Sequence, residues 1–157
     1  MGEYEVDTSS EYLSELLPAA REGIEFYEFA EHHAEPSDLR VVFASMAQVK
    51  HDLVCALNAE LLHYRVRKDR MPRLSESAQR TYAAARRGFG SLSPVRYLNA
   101  LIDEEERILE ALHDTFEQAR FDENNPRVAD ILRRHLPRMH ACHEAMQRAR
   151  VRMAISG

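Results

Sequence analysis

The chain has no tryptophan, only five glycines and six prolines, and two cysteines among its 157 residues. Each scarcity excludes something. Few turn-forming residues, and almost no β-branched runs between them, argue against a sheet protein, because hairpins and sandwiches need turns at close intervals. Cys55 and Cys142 form no Cys-x-x-Cys and are too few to staple a domain, which fits a reducing compartment and buried thiols. No apolar run approaches the roughly 20 residues that a bilayer span requires, and the opening MGEYEVDTSS lacks the basic-then-apolar pattern of a leader. A soluble, cytoplasmic protein with no membrane partner is expected.

Other absences narrow the chemistry. No Gly-x-Ser-x-Gly elbow is present, and Gly88-Phe89-Gly90 alone makes no phosphate-cradling loop. Cys142 lies between His140 and His143 but is directed to one side of them, so a thiol nucleophile is disfavoured. The net charge of −5 argues against nucleic acid as a partner. Arg65, Arg67, Lys68, Arg70 and Arg73 make one basic patch, with only Tyr64 available for stacking, and read as a solvated helix end.

What the sequence does contain is helical. Apolar residues make up 45% of the chain, enough for one core without staples, and residues 1–157 read as a single all-α domain with a flexible terminus over 1–10. Thr8 and Glu11 match a capping box, after which Leu13, Leu17, Ala20, Ile24 and Tyr27 recur at helical spacing to about Ala34. Pro18 either kinks this helix or marks its start. After the Pro36-Ser37 break, Leu39, Val42, Met46, Val49, Leu53, Leu57 and Tyr64 trace a second helix that frays near Arg70. Residues 71–93 read as a connector, within which Ser77 to Arg87 admits a short helix ended by Gly88 and Gly90. Ser93-Pro94 starts a third helix with the stripe Leu98, Leu101, Glu105, Ile108, Leu112 and Phe116. Asn125-Pro126 starts a fourth, turning Val128, Leu132, His135, Leu136, Met139, His143 and Met146 inward, with Pro137 as a kink.

Two short links and one long middle link imply antiparallel pairs joined by a crossover. The halves also echo each other. Leu17, Ala20, Ile24 and Tyr27 align with Leu98, Leu101, Glu105 and Ile108, and Val42, Met46, Val49 and Leu53 with Leu132, Leu136, Met139 and His143. Only the second half sets ionisable residues, Glu105 and His143, on these stripe positions. A buried carboxylate is costly without a partner, so these two are the candidate site.

The stretches LLPAAREGIEFYEFAEHHAE, VVFASMAQVKHDLVCALNAEL, LNALIDEEERILEAL and RMHACHEAM resemble the ferritin-like superfamily. Over roughly residues 12 to 150 the chain is similar to a bacterial four-helix-bundle family, a domain of unknown function distantly similar to rubrerythrin. The resemblance implies an all-α, ferritin-like antiparallel four-helix bundle with a long crossover between its second and third helices. It also implies metal ligands, a Glu on helices 1 and 3 and a Glu-x-x-His on helices 2 and 4. Those positions hold Ile24, Lys50 with Leu53, Glu105, and His140 with His143. Ile24 and Leu53 have no donor atoms and a Lys50 ammonium repels a cation, so a full di-iron centre is not expected. Gln48 and His51 are no substitute, since their helical angle turns them outward.

Two readings stay open. Glu105, His140 and His143 would supply the donors of a mononuclear iron or zinc site, making the chain a metal-binding protein or oxidoreductase. Alternatively, Lys50, Glu105 and His143 form a hydrogen-bonded cluster in which ammonium and imidazole replace the metal charge. The chain is then a non-catalytic oligomer or partner-binding protein, of bacterial stress physiology as the resemblance suggests. His32, His33, His63 and His113 lie near helix ends or off the stripes and read as solvated. Phe26 and Phe29 point away from the Ile24 stripe and need a cover, either the connector near Tyr82 or a second copy of the chain; a homo-oligomer is expected.

Overall fold

The computed structural model describes residues 8–61, 73–90, 93–121 and 126–156. They form five helices and no strand: α1 (Thr8–His33), α2 (Asp38–Leu61), α3 (Arg73–Gly88), α4 (Pro94–Ala119) and α5 (Pro126–Ser156). No described helix is long and apolar enough to cross a membrane. The breaks fall at the residues that enforce them. α1 stops three residues before Pro36, and Arg40 closes the turn by donating to Ala34 O and to the Glu35 carboxylate, both at 2.9 Å. Ser93 is extended and Pro94 opens α4, as its fixed φ favours, although the Ser93 side chain makes no capping bond. Pro18 and Pro137 both lie inside helices, so α1 starts well before Pro18.

The side chains of Thr8 and Glu11, the region 1–7, and the stretch holding His63, Tyr64, Arg65, Arg67, Lys68 and Arg70 lie outside the described residues. The connector expected over 71–93 contains a sixteen-residue helix, longer than the Ser77–Arg87 segment admitted by the sequence. α3 buries Ala78, Tyr82 and Ala85, one helical stripe.

Cross-helix bonds fix the directions. Tyr27 meets Glu105 and Tyr97 reaches back to Glu35 O, so α1 and α4 run antiparallel. Asp52 with Arg138 and Glu60 with Arg127 do the same for α2 and α5, and Asn99 with Arg150 and His113 with His140 for α4 and α5. α1 also packs along α2, while α3 lies against α1 and α4; α2 and α4 make no close backbone approach, nor do α1 and α5. The core runs between the helices through Leu13, Tyr27, Phe43, Met46, Leu98, Leu101 and Leu132, all essentially inaccessible.

α3 covers the aromatic face of α1. Tyr82 stacks on Phe26 with centroids 5.2 Å apart, Phe89 stacks on Phe29 at 5.9 Å, and the Arg86 guanidinium sits 3.9 Å above the Phe29 ring. The face that suggested a second copy of the chain is therefore covered from within it.

Candidate functional site

A buried polar cluster occupies the middle of the core, where α1, α2, α3 and α4 each contribute one side chain. Glu105 comes from the inward stripe of α4 and Lys50 from that of α2, and neither side chain is more than 2% exposed. Their charges meet at 2.6 Å, Lys50 Nζ to Glu105 Oε1. The other carboxylate oxygen, Oε2, accepts from Tyr27 Oη on α1 and Tyr82 Oη on α3, each at 2.6 Å. Glu105 thus exchanges the water it would have outside for one ammonium and two phenols. The Lys50 contact is an ion pair out of line for a hydrogen bond, and Nζ finds no better acceptor among the described residues.

Burial, and then the nearby Glu105 carboxylate, push both phenols well above their ordinary range. They stay protonated and donate. Burial also raises the Cys142 thiol, partly opposed by Lys50, which leaves it a poor nucleophile. Gly23 makes the cluster possible. A Cβ there would stand 2.9 Å from Lys50 Cδ and 2.9 Å from the Tyr82 hydroxyl, closer than packed atoms allow. Beside Lys50 lies a cavity of about 10 Å³, lined otherwise by apolar residues such as Leu53, Ile108 and Met139, with room for about one water and none for a substrate.

The residues singled out from the sequence separate into three places. Lys50 and Glu105 come together. His143 is buried, but its Nε2 lies 3.1 Å from Ile102 O, one turn away along α4. His140 is exposed and meets His113 at the surface. Ile24 is half-buried, and Tyr27, one turn-edge further on, is the residue of α1 that reaches Glu105. Leu53 is buried in the apolar wall. His135 is half-buried with Nδ1 unpartnered, and burial lowers its pKa, aided by Arg138 and opposed by Asp52. Gln48 and His51 face outward, as do His32 and His33, and Cys55 is exposed where a buried thiol was expected. Among the described residues, no group of three or more His, Cys, Asp or Glu side chains is gathered to hold a metal ion.

Sequence reasoning missed Tyr27 and Tyr82 as members of the site, and Glu104 altogether. Tyr27 carried a signal, since a tyrosine on an inward stripe must find a partner for its hydroxyl. Glu104 is wholly buried at the seam of α3 and α4, where its Oε1 accepts from Ser77, Thr81 and Arg107, each at 2.8 Å. Burial pushes its carboxyl up, but these three donors outweigh it and hold the pKa below the ordinary value of 4.5.

No curated protein and no solved structure matches this chain significantly. The helices α1 to α3 and α4 up to residue 118, and with them all four members of the central cluster, fall within the match to a family model spanning residues 8–118, and the chain belongs to that family, described as a domain of unknown function (DUF2383).

Proposed function

We propose that the chain is a ferritin-like four-helix bundle of α1, α2, α4 and α5, with α3 carried in the crossover, whose centre is an ion-pair cluster in place of a di-iron site. Helix direction supports the topology. α2 and α4 are both antiparallel partners of the same neighbours, so the link from one to the other must return along the bundle's length, as a ferritin-like crossover does. The observation that carries the functional reading is the 2.6 Å contact between Lys50 Nζ and Glu105 Oε1 inside the core. The ammonium stands where a cation would bind the carboxylate, facing Oε1, while Oε2 accepts from both phenols. With Ile24 and Leu53 lacking donors, His143 on a backbone carbonyl and His140 outside, the residues present do not fit an iron pair.

The protein then acts through its surface, as a cytoplasmic oligomeric or partner-binding bundle, and the cluster serves to fix the register of four helices. A buried ion pair is weak evidence for stability but a good device for alignment, because any slip strands a charge. The competing reading, iron or zinc held by Glu105, His140 and His143, needs Lys50 to leave, His143 to release Ile102 and His140 to turn inward. Elemental analysis after loading with iron or zinc separates the two, using the parent protein and the near-isosteric Glu105→Gln, with its fold checked by circular dichroism. We expect no metal that depends on Glu105. One or two equivalents held by the parent and lost in the variant would overturn the reading. Light scattering on the same samples tests the oligomer: a strict monomer leaves partner binding as its only surface role.

A further inference from the structure

The seam between α4 and α5 holds a second polar contact, at the surface. His113 follows the buried Leu112 and His140 follows the buried Met139, so each imidazole sits one residue round from the inward face of its helix. The antiparallel register brings the two rings together. Their Nε2 atoms lie 2.7 Å apart, with centroids at 4.9 Å and planes inclined by 52°. A nitrogen–nitrogen contact that short is a hydrogen bond, one imidazole N–H donating to the lone pair of the other, with the two nitrogens aimed at each other almost in line.

A metal ion asks instead that both lone pairs turn to one point beside the line that joins them. With bonds of about 2.0–2.1 Å, two imidazole nitrogens at right angles stand about 2.9 Å apart, and at the tetrahedral angle about 3.3 Å. The observed spacing is nearest the right-angle case, and each of the two exposed rings must swing by roughly 45° to aim its lone pair at the metal. No third His, Cys, Asp or Glu joins them among the described residues, so water completes the coordination. Cis nitrogen ligands with open, hydrated positions suit tetragonal Cu²⁺ best, the divalent ion that also heads the affinity order, with Ni²⁺ and Zn²⁺ behind it.

We propose that His113 and His140 form a surface bis-imidazole site for a late divalent transition metal, copper foremost, that clamps α4 to α5. The metal replaces the shared proton, so binding releases it and weakens in acid. Because only the folded seam presents both nitrogens, the bound metal stabilises the fold by linkage. The site is separate from the central cluster, and Glu105→Gln leaves it intact.

The test is a Cu²⁺ titration near pH 7.5, followed by calorimetry, electron paramagnetic resonance and thermal unfolding. It is run in Cys55→Ser protein, because the exposed Cys55 thiol lies 3.8 Å from His51 and would compete for or reduce copper. The expected result is one equivalent bound with two equatorial nitrogens and a raised unfolding midpoint. His113→Ala and His140→Ala should each weaken that binding by about tenfold or more, equivalent to about 1.4 kcal/mol, and abolish the midpoint shift, whereas His32→Ala should change neither. Equal affinity and spectra in the parent and His113→Ala, or no stoichiometric binding by the parent, overturns the proposal.

Discussion

Glu104 and Glu105 are consecutive residues of α4, both closed off from solvent, yet they are held by different means. Glu105 faces the middle of the core and is met by an inaccessible ammonium and two buried phenols. Glu104 faces the seam with α3, where two hydroxyls and a half-exposed guanidinium converge on it. The difference lies in what replaces a lost partner. At the seam Arg107 is half-exposed and its departure opens a way to water, although Glu104 Oε2 has no hydrogen-bond partner among the described residues. In the core there is room for about one water beside Lys50 and no more, and each member of the cluster is hostage to the others.

Removing the ammonium should break this contrast most sharply. Lys50→Met leaves the Glu105 charge uncompensated and should cost about 3–5 kcal/mol in urea denaturation. Adding Glu105→Leu should restore only part of that, because Tyr27 and Tyr82 lose their acceptor. The fully apolar set, with Tyr27→Phe and Tyr82→Phe as well, should return to within about 1–2 kcal/mol of the parent. A Lys50→Met protein as stable as the parent would show that the core admits water to Glu105.

Smaller losses come from the phenols. Tyr27→Phe and Tyr82→Phe each remove one hydrogen bond to a buried charge and should cost about 1.5–3 kcal/mol by the same measurement. The two should be strongly non-additive with Lys50→Met, since all three act on one carboxylate.

The seam should respond least, and its response depends on pH. The folded pKa of Glu104 is depressed, so its ionised form adds stability above 4.5 that is lost as the pH falls through the folded value. Glu104→Gln should therefore flatten the acid limb of a stability–pH curve. Arg107→Ala should cost no more than about 1 kcal/mol at neutral pH, because that guanidinium is half-exposed and screened. An unchanged acid limb in Glu104→Gln would move the pH dependence to another carboxylate, Asp52 first, which Arg138 and Gln48 also hold below its ordinary value.

The four long helices were legible because their apolar stripes are long, and because Pro36, Pro94 and Pro126 mark where α2, α4 and α5 begin. α3 was harder, since Arg73–Gly88 buries the side chains of Ala78, Tyr82 and Ala85 and little else, a narrow stripe in a polar sequence that reads as a connector. The burial of Glu104 inside the run Asp103 to Glu106 and the second phenol on Glu105 were lost with it, whereas the cover over Phe29 by the connector near Tyr82 was one of two alternatives the sequence offered. Glu105 stood out as a polar residue on an inward stripe, and Lys50 only as the residue at a ligand position that the ferritin-like resemblance implies. Their partners did not, because a tyrosine at a core position looks apolar until its hydroxyl has somewhere to go. The meeting of His113 with His140 depends on the register of α4 against α5, which periodicity within each helix does not encode.

Gly23 contributes no atom to the central cluster, yet it decides whether the cluster can exist. Its bare backbone is the floor on which the Lys50 stem and the Tyr82 ring-end both rest. Any larger residue must displace the stem or the ring, and with either one goes a partner of Glu105. The electrostatics of the molecule's centre are thus governed by a steric switch on α1, and this position controls the cluster without altering a single charge.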